Sequence, residues 1–191
     1  MRLSYYIAST LPALQLNETP RISHAEFLQA AGRLLEAGDY TTLEKARLTN
    51  LTVEEGGNPV FIRYQLWESD LRNRLVSWRD ASRQGEQRPD RPAEPSLETI
   101  RASRAAAEAA DPWQGEVVQN RARWEFLSSL ETGHQFDIEY LIIYALKLQI
   151  LERIAAMSPT AGGEAFQNLE EDLHRELLEK MVEAEGGIKI P

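Results

Sequence analysis

The residues best placed to do chemistry are two Glu-x-x-His pairs, Glu171 with His174 and Glu131 with His134. On a helix, an i, i+3 spacing sets both side chains on one face. Di-iron carboxylate sites inside helical bundles use two such pairs with two further glutamates. The second pair is weak at once, because Thr132 and Gly133 fall between its members and break the helix that would aim them. Glu171 stands in the run Glu170-Glu171-Asp172, the pattern of a solvated acidic face. No metal or cofactor is therefore expected, and a ferritin-like di-iron protein is kept as the enzymatic alternative.

Other chemistries lack their residues. The chain has no cysteine, which removes thiolate metal sites, disulfides and cysteine nucleophiles. Neither GxxxxGK[ST] nor GxGxxG occurs, so no glycine loop cradles a phosphate. Gly56-Gly57 and Gly162-Gly163 read as turns. A Ser-His-Asp triad needs strands and elbows that the pattern does not supply, and His24 lies inside a capping box, where a surface position is expected. The four tryptophans sit mostly at core spacing. No catalytic residue is assigned.

The net charge of −9 argues against nucleic acid, whose binders displace counterions with a basic excess. The charge is uneven: residues 63–104 are rich in arginine, and residues 105–191 are strongly acidic. The densest apolar run, Leu141 to Leu146, is followed by Lys147, Gln149 and Glu152, and a membrane span needs about 20 apolar residues. No direct membrane insertion is expected. The N-terminal stretch to Leu16 is broken by Ser4, Ser9, Thr10 and Pro12 and reads as part of the mature fold rather than a leader.

The elements are helices. Ser23-His24-Ala25-Glu26 forms a capping box ahead of Phe27, Leu28, Ala31, Leu34 and Leu35, with Gly38 as the stop. Asp39 is placed to cap a short second helix through Leu43 and Ala46. Asn58-Pro59 is an N-cap followed by proline at the first helical position. From there Val60, Tyr64, Trp67, Leu71, Leu75 and Trp78 keep helical spacing over about 25 residues, roughly 37 Å. Residues 85–95 hold three prolines and read as a linker or loop. Ser96 restarts an alanine-rich helix to about Ala110, and Asp111-Pro112 opens another, carrying Trp113, Val117, Trp124, Leu127 and Leu130. Asp137 opens the most apolar helix, Ile138 to about Met157, greasy on nearly all sides and therefore central to a bundle or buried in a partner. An acidic last helix carries Phe166, Leu169, Leu173, Leu177 and Met181. Residues 3–9 are expected to be extended or irregular.

The fold expected is all-α: a bundle of about six to seven helices with antiparallel neighbours and a short irregular N-terminal segment. Its parts are 1–84, the linker 85–95, and 96–191, with the last free to share one domain with the first.

Three segments together carry a resemblance. They are Tyr5-Tyr6-Ile7-Ala8-Ser9-Thr10-Leu11-Pro12 with Pro20 and Glu26-Phe27-Leu28; Leu71-Arg72-Asn73-Arg74-Leu75 after Trp67; and Trp124-Glu125-Phe126-Leu127 through Phe136-Asp137 to Tyr144-Ala145-Leu146-Lys147-Leu148-Gln149-Ile150-Leu151-Glu152-Arg153. They resemble a bacterial branch of the V-type/A-type ATPase C-type subunit family, whose eukaryotic members are the d-type subunits. The resemblance implies an all-helical, non-catalytic adaptor joining the central shaft to the membrane ring, cytoplasmic and held at the membrane periphery through its complex. Arg72 and Asn73 turn away from the Leu71 face by helix geometry and are the candidate partner-binding residues. A stand-alone helical interaction scaffold is the alternative.

Overall fold

A computed structural model describes residues 3–16, 18–84 and 96–157. These residues form seven helices: α1 Leu3–Thr10, α2 His24–Gly32, α3 Ala37–Lys45, α4 Pro59–Gln84, α5 Leu97–Ala107, α6 Pro112–Leu130 and α7 Ile138–Ala156. Among the described residues there is no strand, and the all-α class read from the sequence is the fold observed. Residues Met1–Ile154 make one compact unit, so helices on both sides of the proline-rich 85–95 stretch share it. That stretch, the acidic segment from Phe166 to Met181 and the Glu171/His174 pair lie outside the described residues.

Most caps form where the side chains ask for them. Ser23 Oγ accepts from the Glu26 amide at 3.1 Å while Glu26 Oε2 accepts from the Ser23 amide at 2.8 Å, closing the capping box. Asn58 Oδ1 accepts from the amides of Val60 and Phe61 ahead of α4. Asp111 caps α6 through the Gln114 amide, and Asp137 caps α7 through the Tyr140 amide. Each satisfies donors that have no partner inside the helix.

Three local expectations are corrected. Residues 3–10 are helical, not extended or irregular. Ser4, Ile7 and Ala8 are buried while Tyr5, Tyr6, Ser9 and Thr10 face outward, a helical period that the aromatic composition masked. The Ser9 and Thr10 hydroxyls donate to the carbonyls of Tyr6 and Ile7, in the last turn where carbonyls lack amide partners. Next, α2 stops at Gly32 rather than Gly38, and Gly38 lies inside α3. A Cβ at Gly32 would meet the Tyr40 ring at 3.0 Å, so this glycine lets α3 close onto α2. Asp39 is a first-turn residue of α3, whose N-cap is Glu36.

The third correction concerns direction. Thr99 on α5 meets Asp70 on α4, and further along both helices Arg104 lies over the Trp78 ring. These two contacts advance together, so α4 and α5 run parallel. The antiparallel expectation assumed short connections, whereas residues 85–96 are long enough for a crossover. Helices α5 and α6, joined by a short link, run antiparallel: Ala106 faces Gly115 near the link, and Glu98 and Glu125 line one cleft at the far ends. The α5 face toward this packing is small (Thr99, Ser103, Ala106), and a Cβ at Gly115 would come within 2.9 Å of the Ala106 carbonyl oxygen. Small residues there permit close helix approach.

The core is centred on α7. Leu141 to Leu148, with Ile150 and Leu151, are all buried. Phe27, Leu43, Tyr64 and Leu127 complete it from α2, α3, α4 and α6.

Candidate functional site

Two kinds of site can be built from this fold: buried charges between the helices, and surface groups free to meet something else. The buried charges centre on α4, which carries the residues singled out in the sequence. Every third or fourth residue of α4 turns inward, which places Glu68 beside Tyr64, Leu71 and Leu75. Glu68 is fully buried, and its carboxylate is gripped by Arg123 of α6, with Nε to Oε2 at 2.9 Å and Nη2 to Oε1 at 3.0 Å. Asn120 and Gln119 accept from the same guanidinium. Burial works against the charged form of Arg123, but the Glu68 carboxylate outweighs it and raises the arginine above its usual range. Burial also pushes the nearby Tyr64 phenol well above its ordinary value.

Arg72 belongs to this network. Its Nε donates to Glu68 Oε1 at 2.6 Å, and its Nη2 donates to the Leu48 carbonyl at 3.2 Å. The guanidinium therefore fastens α4 to the loop after α3. Asn73, one residue on, is exposed. The sequence pair thus divides: one member is engaged within the protein and the other faces outward. An independent pair, Arg74 with Asp70, ties α4 to α5 through Thr99.

The polar residues of α7 are used in the same way. Gln149 Oε1 accepts from the Leu48 amide while its Nε2 donates to the Ala46 carbonyl and meets His24 Nε2 at 3.2 Å. Glu152 accepts from the His24 amide at 2.6 Å. Lys147, itself buried, pairs with Glu131 at 2.6 Å and lies 4.8 Å over the Trp124 ring. His24 is half-buried rather than on the surface, and burial holds its imidazole below the usual range. Gln149 Nε2 also donates to the Ala145 carbonyl, so it lies among two backbone acceptors and the His24 ring nitrogen.

Of the two Glu-x-x-His pairs, the described one sends its side chains to different partners. Glu131 caps the end of α6 and faces Lys147, and Gly133 follows with φ +93°. His134 lies beyond that turn, with its Nδ1 2.7 Å from Asp137 Oδ2. The structure instead gathers His134, Asp137 and Glu139, whose ligating atoms lie within 4.8 Å of one another at the start of α7. Sequence reasoning did not group them, because the Glu-x-x-His spacing drew His134 toward Glu131. Asp137 is committed to its cap, and Glu139 accepts from Asn58.

A cleft of about 540 Å³ lies between α5 and α6. Its lining includes the stacked rings of Trp67 and Phe126, 4.6 Å apart, and its charges are balanced: Arg101 and Arg121 against Glu98 and Glu125. All four are charged side chains in a solvent-open cleft, with no nucleophile-base pair among the residues that line it.

Comparison of the chain with family models, with curated proteins and with solved structures finds no match.

Proposed function

We propose that this chain is a non-catalytic adaptor subunit of a bacterial V-type ATPase or ATP synthase, coupling its central shaft to its membrane ring. The observation that carries the reading is the condition of α7. The stretch Tyr144–Arg153, where the resemblance to the C-type subunit family is most specific, is the buried stem of the fold. Its polar side chains are spent on clamping other segments: Tyr144 Oη donates to the Pro12 carbonyl, Gln149 bonds Ala46 and Leu48, and Arg153 pairs with Glu116. A part that transmits torque needs a stem fixed to its surroundings at several points, and an enzyme would need some of those groups turned toward a substrate.

No described helix is long and apolar enough to cross a membrane, which suits a part that reaches the membrane ring through other subunits. On this reading the protein works on the cytoplasmic side, at the membrane periphery. The test is purification of the full chain from its own cells under mild conditions. Shaft subunits of the ATPase should copurify near stoichiometry and be lost from membranes when the chain is deleted. Recovery in a complex without ATPase subunits would leave the stand-alone scaffold, and iron near stoichiometry in the purified chain would restore the ferritin-like alternative.

A further inference from the structure

Large apolar side chains reach solvent on α4, α5 and α6, as on any protein surface. One group is different. Tyr5 is 54% exposed, its neighbour Tyr6 61%, and Phe136 44%, although Phe136 belongs to a segment more than a hundred residues away. The rings of Tyr5 and Phe136 lie 4.6 Å apart, and the Ser4 hydroxyl donates to the Phe136 carbonyl at 3.1 Å, fixing α1 against the loop before α7. An aromatic group held rigid and left open is the kind of feature that anchors protein interfaces.

What lies beside it decides the partner. Asp137 follows Phe136 directly, and its carboxylate and that of Glu139 lie within 4.8 Å of each other. Neither has a lysine or arginine partner among the described residues; their hydrogen bonds come from His134, Asn58 and the Tyr140 amide. The only group able to carry positive charge that pairs with these two carboxylates among the described residues is His134, which is charged only when protonated. By contrast, the carboxylates of Glu68, Asp70 and Glu131 are each matched by arginine or lysine.

We infer that the Tyr5–Phe136 face is a docking surface for a protein segment that presents a lysine or arginine. The aliphatic stem of that residue would lie on the aromatic rings, and its charged head would reach Asp137 and Glu139. Charge complementarity chooses this occupant, and an aromatic face beside carboxylates is the arrangement that holds a cation from two sides. The inference does not depend on which assembly the partner belongs to, so it goes beyond the adaptor reading and can stand or fall apart from it.

The test places the photo-crosslinking residue p-benzoylphenylalanine at Tyr6 of the full chain in its own cells, with the same probe at Val53 as control. The adduct is identified by mass spectrometry. The expected result is a protein segment with a lysine or arginine within a few residues of the attachment point. The yield should fall about three- to ten-fold in the D137N/E139Q variant, the scale of losing two charges at an interface rim. Asparagine at 137 can still cap α7, and an unchanged melting temperature shows that the variant is folded. An adduct to lipid, a yield no higher than at Val53, or a yield indifferent to the two carboxylates overturns the inference. A yield that depends on added zinc and is abolished by EDTA also overturns it, by making the trio with His134 a metal site. Should the captured segment be basic but belong to no ATPase, this surface stands and the adaptor reading fails.

Discussion

Arg123 holds Glu68 by two parallel hydrogen bonds of 2.9 and 3.0 Å across the packing of α6 on α4, with both side chains buried. Burying two charges costs desolvation that their attraction offsets only when the geometry is good, and bidentate pairing is the favourable case. The pair ties one position of α6 to one position of α4.

Glu68→Gln keeps the shape and removes the charge. Arg123 is then left buried with only Glu116, 3.9 Å away, as an acid partner. The expected loss is about 3–5 kcal/mol of folding stability, the range for a buried pair deprived of one member. Urea denaturation of the two proteins side by side measures it, and a loss below about 1 kcal/mol would show that water reaches the pair.

Leu148 is fully buried on the stem helix α7. Leu148→Ala should cost about 2–5 kcal/mol through lost transfer energy and the cavity left behind. A melting temperature that does not move would mean that this side of α7 is not packed in the isolated chain.

The stem was legible because apolar residues occupy nearly all its sides, which leaves the centre of the bundle or a partner, and the helix takes the first. The caps at Ser23, Asn58, Asp111 and Asp137 were legible for a similar reason: each is a local bond between residues two to three apart. Other features needed contacts that no local pattern encodes. The closeness of the Tyr40 ring to Gly32, where a Cβ would meet it at 3.0 Å, is not encoded in the apolar spacing of α2. The parallel course of α4 and α5 depends on where Thr99 and Arg104 land on α4. Glu68 looked like any helix glutamate until its partner arrived from 55 residues away. The aromatic face at Tyr5 is hidden still more completely, since its second half is Phe136.

His24 gives a pH signature. Burial lowers its folded-state pKa below the ordinary 6.5, so the native state resists a proton that the unfolded chain accepts. Its contribution to stability is therefore complete above pH 6.5 and is lost as the pH falls below that value. Protonation would also set a ring N–H against the Gln149 amide N–H, 3.2 Å away. Thermal melts at neutral and mildly acidic pH should show the wild type losing stability more steeply than His24→Gln, which cannot titrate. Parallel slopes would assign the acid sensitivity to other groups.

Arg72 and Asn73 separate a structural role from a contact role on adjacent residues. Asn73 is exposed, so Asn73→Ala should change stability by no more than about 0.5 kcal/mol, as surface positions do. Arg72→Ala removes a charged hydrogen bond to Glu68 and one to the Leu48 carbonyl, for which about 1–3 kcal/mol is expected. Arg72→Glu should cost more than Arg72→Ala, because it sets a second carboxylate beside a fully buried one. The adaptor reading adds a second axis, assembly with shaft subunits measured by copurification. If Asn73 meets a partner, Asn73→Ala weakens assembly while the melting temperature stays fixed. Arg72→Ala then lowers both, and restoring stability with a protecting osmolyte recovers assembly only to the extent that folding limited it. Asn73→Ala that assembles like the wild type removes this face of α4 from the partner surface, whatever Arg72 does.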